Sequence, residues 1–336
     1  MCAYIYFDAE TKPLLDKFYN KSFRKRSIDA IESYINAIVI PPTYYLEGVS
    51  HLEYGIMDEN NNYIISSGKY YEECNHFGIP ENIKYDDREV LYCGNLSIHY
   101  GHFLLETTPR LSFYLKNRDK YRHICFSAFN QEMPSYAKEF FDLLKIPLSD
   151  IILCDTYTKF KKVVLPPCSY YHRKYFNDDF TYPFVEAAKN ITPAKYKKIY
   201  FTRKYWNNMA KCFGEEDLEK VFNKNGFHSV AMERLTLKEQ IAVVRGAEVI
   251  AGINGTAFHN ILFSDQQKTV IILNRNEETD DQYMINEATD AKCYLIKAYE
   301  NPFPVYHPRG PFVVGITRHV DRKSTRLNSS HVRTSR

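Results

Sequence analysis

From residue 197 onward, short continuous apolar runs alternate with stretches in which apolar residues recur every three to four positions. The runs at 197–202, 228–232, 248–253, 268–274 and 292–299 read as strands, and the stretches at 215–225, 236–245, 256–263 and 281–289 as helices. In the second helix Leu237, Ile241 and Val244 share one face, and Gly226 closes the first. Strands that are apolar at successive positions are buried on both faces, so this half predicts a parallel sheet covered by helices on each side. The pattern is less regular before residue 166. Strands are expected at 89–93, 123–127, 150–153 and 162–165, and helices at 22–38, 100–116 and 135–145, with Pro109 kinking or dividing the second helix. The stretch 166–196 contains Pro166, Pro167, Pro183 and Pro193 and reads as a hinge between domains.

The chain has 336 residues, 44% hydrophobic and 25% charged, which excludes wholesale disorder and allows about two domains of ordinary size. No apolar run approaches the ~18 residues of a membrane-spanning helix, and the first residues lack the basic and apolar regions of a secretory signal. Eight cysteines, none at C-x-x-C spacing, then read as reduced thiols of a cytoplasmic protein. The net charge of +3 is unevenly placed. Residues 318–336 hold six Lys/Arg against Asp321, so the remainder carries −2, and such a body has no overall electrostatic reason to bind nucleic acid. The basic arm has no apolar period and reads as a disordered, non-native tail. The expected organisation is a first domain over 1–175, a second over 190–317 and the tail over 318–336.

Three constellations could carry chemistry. In Val249-Ile-Ala-Gly-Ile-Asn-Gly-Thr-Ala-Phe-His-Asn260 a buried strand runs through Asn254-Gly255 directly into a helix. Gly255 would let a diphosphate approach the backbone, where the N–H groups of Thr256 and Ala257 and the Thr256 hydroxyl can meet it. The bland alternative is a tight turn with Thr256 as helix cap. The segment is neither G-x-G-x-x-G nor a Walker loop. Arg203 and Lys204 follow the strand at 197–202 and could clamp the same phosphates, or form a solvated charge pair. In His99-Tyr-Gly-His-Phe-Leu-Leu-Glu106, His99, His102 and Glu106 share a helix face. His102 beside a carboxylate can act as a general base. The same trio could ligate a metal, though not in the H-E-x-x-H pattern, or form a satisfied hydrogen-bond cluster.

The order H-F-L-L-E-x-x-P-R-L (102–111), I-Y-F-T-R (199–203), Glu215-Glu216, G-F (226–227), L-T-L-K-E-Q-I (235–241) and A-E-V-I-A-G-I-N-G-T-A-F-H-N-I-L-F (247–263) resembles glycosyltransferase family 61 over residues 89–315. This resemblance implies an α/β, GT-B-like architecture, with two Rossmann-like domains facing a cleft. It implies an inverting transfer, without a required metal or cofactor, from a nucleotide sugar, read as UDP-linked, to a glycan or lipid-linked glycan hydroxyl in polysaccharide synthesis. The place of work would be the cytoplasm, including peripherally the inner face of the membrane. His102 would be the base and Glu106 its orienter. Arg203, Lys204, Asn254, Gly255, Thr256, Ala257 and Asn260 would hold the donor, and Arg110 would position its helix or the phosphates. The family loop commonly reads G-x-H-G-A-G-L-x-N. Here Asn254 stands for the usual His, and Thr256, Ala257 and Phe258 replace Ala, Gly and Leu. Two other readings remain open: a nucleotide-sugar epimerase of the same architecture, and an inactive glycan- or nucleotide-binding subunit.

Overall fold

The computed structural model describes residues 22–25, 30–47, 49–69, 78, 80–172, 174–206, 211–275, 280–299 and 312–317; the basic arm at 318–336 lies outside them. The described residues fall into two compact units, one of residues 24–187 and one of residues 188–317 with 22–23. Among them no helix is long and apolar enough to cross a membrane.

In the first unit β1 (Glu32–Ile35), β2 (Ile38–Glu47), β3 (Val49–Met57), β4 (Lys84–Asn95), β5 (His123–Ser127), β6 (Ile151–Cys154) and β7 (Thr158–Leu165) build one mixed sheet. Its order is β3-β2-β7-β4-β5-β6, with β1 also on β7. The β7-β4-β5-β6 part is parallel, whereas β1, β2 and β3 pair antiparallel. Val90, Tyr92, Cys125, Phe160 and Val163 fill its core. A small hairpin, β8 (Tyr170–Tyr171) with β9 (Tyr175–Phe176), follows.

The helix expected over 22–38 is corrected by the structure, where β1 and the start of β2 occupy 32–35 and 38–40. Ile35, Ile38, Val39 and Ile40 are β-branched and suit a pleated surface. Asn36 turns the chain between the two strands at φ 54, a left-handed conformation that interrupts any helix. Pro41 and Pro42 fall where the β2–β3 register shifts between Ile40 and Thr43, the kind of irregularity that tolerates residues without an N–H. The stretch 100–116 is divided at Pro109. An α-turn, Tyr100–His102, continues into a π-helical turn, Phe103–Thr107, and a separate helix spans Leu111–Lys116.

The second unit follows the sequence expectation within a residue or two. Strands β10 (Lys198–Phe201), β12 (His228–Val230), β13 (Val249–Ile253), β14 (Thr269–Asn274) and β15 (Lys292–Lys297) form a fully parallel sheet in the order β12-β10-β13-β14-β15. A short β11 (Cys212–Phe213) pairs with β16 (Phe312–Val313). Helices Glu215–Lys224, Leu237–Gly246 and Asp280–Ala288, and a 3₁₀ helix Thr256–Phe263, connect the strands. Tyr200, Ala251, Ile253, Ile271 and Leu273 pack with Leu218 and Phe222 on one face. The next residue of β10, Phe201, points to the other face and meets Phe258 edge-on at 5.4 Å. The sheet is thus doubly wound. N-terminal residues tie into this unit, with Ser22 Oγ and the Phe23 N–H donating to the Glu287 carboxylate at 2.7 and 3.1 Å.

Helix Leu237–Gly246 opens on a capping box. Thr236 Oγ1 accepts the Glu239 N–H (3.3 Å), and Glu239 Oε2 accepts the Thr236 N–H (2.8 Å). Two helix-end donors are thereby satisfied reciprocally. Thr236→Ala is expected to lower stability by about 1 kcal/mol in urea unfolding, and an unchanged midpoint would show the cap to be redundant.

Candidate functional site

In the first unit His102 and Glu106 lie one turn apart where the helical segment widens into its π-turn, a local form frequent at functional sites. His102 Nδ1 is 2.6 Å from Glu106 Oε1; the His102 side chain is 50% exposed, the Glu106 side chain 10%. Burial pushes the Glu106 carboxyl up, but the hydrogen bond and charge of His102, with Lys69 beyond, outweigh it and hold the group below its ordinary range. An ionised carboxylate has no proton to give, so Nδ1 donates to it, and in the neutral form of the imidazole Nε2 carries the lone pair. His99 stacks edge-on against His102 with ring centroids 5.1 Å apart. Behind the pair is a cavity of about 30 Å³ lined by Tyr54, Lys69, Arg110, Tyr170, Tyr171 and His172, with Lys69 Nζ 3.8 Å from Glu106 Oε2.

Arg110 is buried in the same unit. Its guanidinium donates to the carbonyls of Pro166 (3.2 Å) and Ser66 (2.6 Å), tying its segment to two other stretches of the unit. Asp86, in the opening half of β4, accepts the Arg88 Nε–H at 2.8 Å. Among the described residues no group of three His, Cys, Asp or Glu side chains is placed to hold a metal ion.

In the second unit the strand order reverses between β10 and β13. Their connections leave in opposite directions along the sheet, the arrangement that opens a crevice at the carboxyl ends of such strands. The two strands approach closely, since a Cβ on Gly252 would lie 2.8 Å from the Phe201 carbonyl oxygen. Arg203 and Lys204 leave β10 at this point, and Asn254, Gly255, Thr256 and Ala257, all half-buried, leave β13. A Cβ on Gly255 would stand 2.6 Å from Arg203 Nη1, so the guanidinium lies directly over the Gly255 backbone. Asn254 Nδ2 reaches Asn274 Oδ1 at 3.4 Å. Asn260, expected among the donor ligands, is instead fully buried and donates to Gln240 Oε1 and the Ala257 carbonyl, both at 3.1 Å, pinning the 3₁₀ helix to its neighbour. Lys204 is exposed and pairs with Glu219 at 3.5 Å.

Two residues here carried no signal in the linear pattern. Arg275 follows β14, and its guanidinium lies over the Phe312 ring at 4.4 Å and 3.8 Å from Cys212 Sγ. Burial and then the Arg203 charge push its pKa down, so two cations share this edge of the sheet. Glu215, noted above only as part of an acidic pair, is 1% exposed. Its Oε1 accepts the Arg203 N–H (2.9 Å) and the Tyr200 hydroxyl (3.4 Å). Its Oε2 is buried and accepts no hydrogen bond from any described residue. One turn on, Glu219 is also buried and accepts the Thr202 hydroxyl at 3.3 Å. Burial, against the Arg203 N–H and charge and with the Glu219 charge adding, raises the Glu215 pKa from 4.5 to about 7.

A carboxyl raised in this way stabilises the fold while protonated, and that contribution is lost as pH rises through about 7. Above that pH the buried charge costs on the order of 2–3 kcal/mol. Glu215→Gln is therefore expected to raise the melting temperature at pH 8 more than at pH 5. Equal shifts at both pH values would show that the charge is not what the fold resists.

The family model described as glycosyltransferase 61 matches residues 100–289, more than half of the chain. The matched span includes His102, Glu106, Arg203, Glu215, Gly255 and Arg275. No curated protein matches the chain significantly. With both the pair on the π-turn and the glycine crevice inside the matched span, the chain belongs to glycosyltransferase family 61.

Proposed function

We propose that this glycosyltransferase is a GT-B enzyme that transfers a sugar, with inversion, from a uridine diphosphate donor to a glycan hydroxyl. The observation that carries the reaction class is the 2.6 Å contact between His102 Nδ1 and Glu106 Oε1. It leaves Nε2, on a half-exposed ring, as the atom able to take a proton. As the acceptor oxygen attacks the anomeric carbon, its proton passes to Nε2 and the imidazolium that forms is stabilised by the adjacent carboxylate. Attack on the side opposite the departing diphosphate inverts the configuration. The acceptor is a glycan, free or lipid-linked, and the setting is polysaccharide synthesis in the cytoplasm or at the inner face of the membrane.

The donor is assigned to the second unit. Its diphosphate lies on the 255–257 turn, where the first N–H groups of a helix have no partner within it. Arg203 over Gly255 supports this placement, because a guanidinium can pair two phosphate oxygens at once. Arg275 adds a second positive charge at the same edge. The negative charge that develops on the leaving diphosphate thus meets fixed cations and dipoles, so a divalent metal is dispensable. Asn254 and Lys204 border this turn. The more deeply buried Asn260 acts on it through the Ala257 carbonyl.

His102→Ala is expected to lower transfer by about 10²–10⁴ while the dissociation constant for UDP stays unchanged, with Glu106→Gln less damaging. Near-wild-type transfer by His102→Ala would remove the base from this residue. Donor conversion without any acceptor would instead identify an epimerase. Binding of UDP with neither reaction would identify a binding subunit.

Arg203→Ala is expected to weaken UDP binding by about 1.5–3 kcal/mol in calorimetry, the worth of one charge-assisted contact. Gly255→Val displaces the flexible end of Arg203 rather than backbone, so it is expected to abolish binding with the fold intact. Unchanged affinity in both variants would remove the diphosphate from this turn.

A further inference from the structure

Resting on the donor placement above, we propose that Glu215 is a positioning residue that holds Arg203 over the donor turn and takes up one proton when a diphosphate donor binds. The two carboxylate oxygens are placed for separate tasks. Oε1 accepts the Arg203 N–H at 2.9 Å and so fixes the backbone from which the Arg203 side chain reaches Gly255. Oε2 is buried and accepts no hydrogen bond from a described residue, which leaves it as the oxygen able to gain a proton without disturbing that hold.

The surroundings make the charge of this carboxylate depend on what occupies the crevice. It is faced by Tyr200 from β10, Arg203 from the loop after β10, Cys212 from β11 and Glu219 from its own helix. Lys204 pairs with Glu219 rather than with Glu215, and Arg275 contacts Cys212. Among the described residues Arg203 is therefore the cation whose charge acts on Glu215. A bound diphosphate diester brings two negative charges to that same guanidinium. The carboxylate is then buried beside Glu219 with its compensating charge engaged elsewhere, and taking a proton from solvent relieves the repulsion. No bond to the donor forms or breaks in this step.

A purely structural acceptor for the Arg203 N–H could be a neutral amide. The carboxyl, already poised near neutrality by burial, gives the crevice a charge that can change when the donor arrives. By linkage, a group that gains a proton on binding makes binding tighter as pH falls.

The test is calorimetric titration with an intact UDP-sugar, whose diphosphate diester has no group titrating near neutrality. Each titration is run in two non-phosphate buffers of different ionisation enthalpy. The wild-type protein is expected to take up a fraction of a proton approaching one at pH 8. Its dissociation constant is expected to be about tenfold weaker at pH 8 than at pH 6, following a single group poised near 7. Glu215→Gln retains an oxygen for the Arg203 N–H and is expected to bind with no proton uptake and a flat pH profile. Glu215→Ala is expected to bind weakly at every pH. Binding by wild type without proton uptake, or uptake that persists in Glu215→Gln, overturns the proposal alone. Failure of every nucleotide sugar tried to bind overturns the donor placement and this proposal with it.

Discussion

A parallel sheet buried on both faces leaves polar chemistry one outlet, the carboxyl edge, and in the second unit the reversal between β10 and β13 decides where along that edge a crevice opens. The apolar runs that make the sheet also exclude water from its interior, so Glu215 and Arg275 at its edge are partly desolvated. Gly252 lets β13 close against the Phe201 carbonyl. Two positions past the end of each strand, the chain releases residues of the opposite kind: Arg203 with its reach, and Gly255 with its bare backbone. Neither works alone. A Cβ at 255 would push the guanidinium aside, and without the guanidinium the turn has only its N–H dipoles to offer an anion.

The two notable carboxylates of the chain have opposite environments. Glu106 is buried yet held below its ordinary range by its hydrogen bond to His102 and the charges of His102 and Lys69. Glu215 is buried with one oxygen unmet and a second acid nearby, and is held above it. Each fits a different task. An orienting carboxylate must remain ionised for the histidine tautomer to stay fixed, whereas a group that answers to a bound anion must be able to change its charge. Separate environments that push like groups apart are how one chain assigns them different roles.

Most of the second unit was legible in the chain because its strands are continuous apolar runs and its helices end on glycine or open on a capping threonine. These signals are local and agree with the fold. The opening of the first unit was not legible, because β1, β2 and β3 gain their stability from pairing with β7 and with one another, which no local pattern records. The His102–Glu106 pair could be found, since a spacing of four places both side chains on one helix face. Lys69, which completes the surroundings of Glu106, lies 37 positions upstream of it on a different element and had no such signal. Arg275 and Glu215 were hidden in the same way. Arg275 reaches this edge because β14 pairs with β13, a property of strand order, and Glu215 because its helix returns to the end of β10. Asn260 lies next to the turn in sequence, and only the structure shows it fully buried and bonded to Gln240 and the Ala257 carbonyl.

Base and donor chemistry also require opposite electrostatics. A base must be neutral before it acts, and a nearby surplus of cations would disfavour the imidazolium it becomes. Diphosphate recognition needs that surplus. In this chain His102 lies beside a carboxylate whose charge is balanced by His102 and Lys69 within the first unit, while Arg203 and Arg275 gather at the sheet edge of the second. On the proposed assignment the two tasks fall on two separately packed units, so each field is set by its own neighbours. Under that same assignment Glu215 would trim the second field, since a carboxylate that can be neutralised lowers the positive charge of the empty crevice and restores it when an anion arrives.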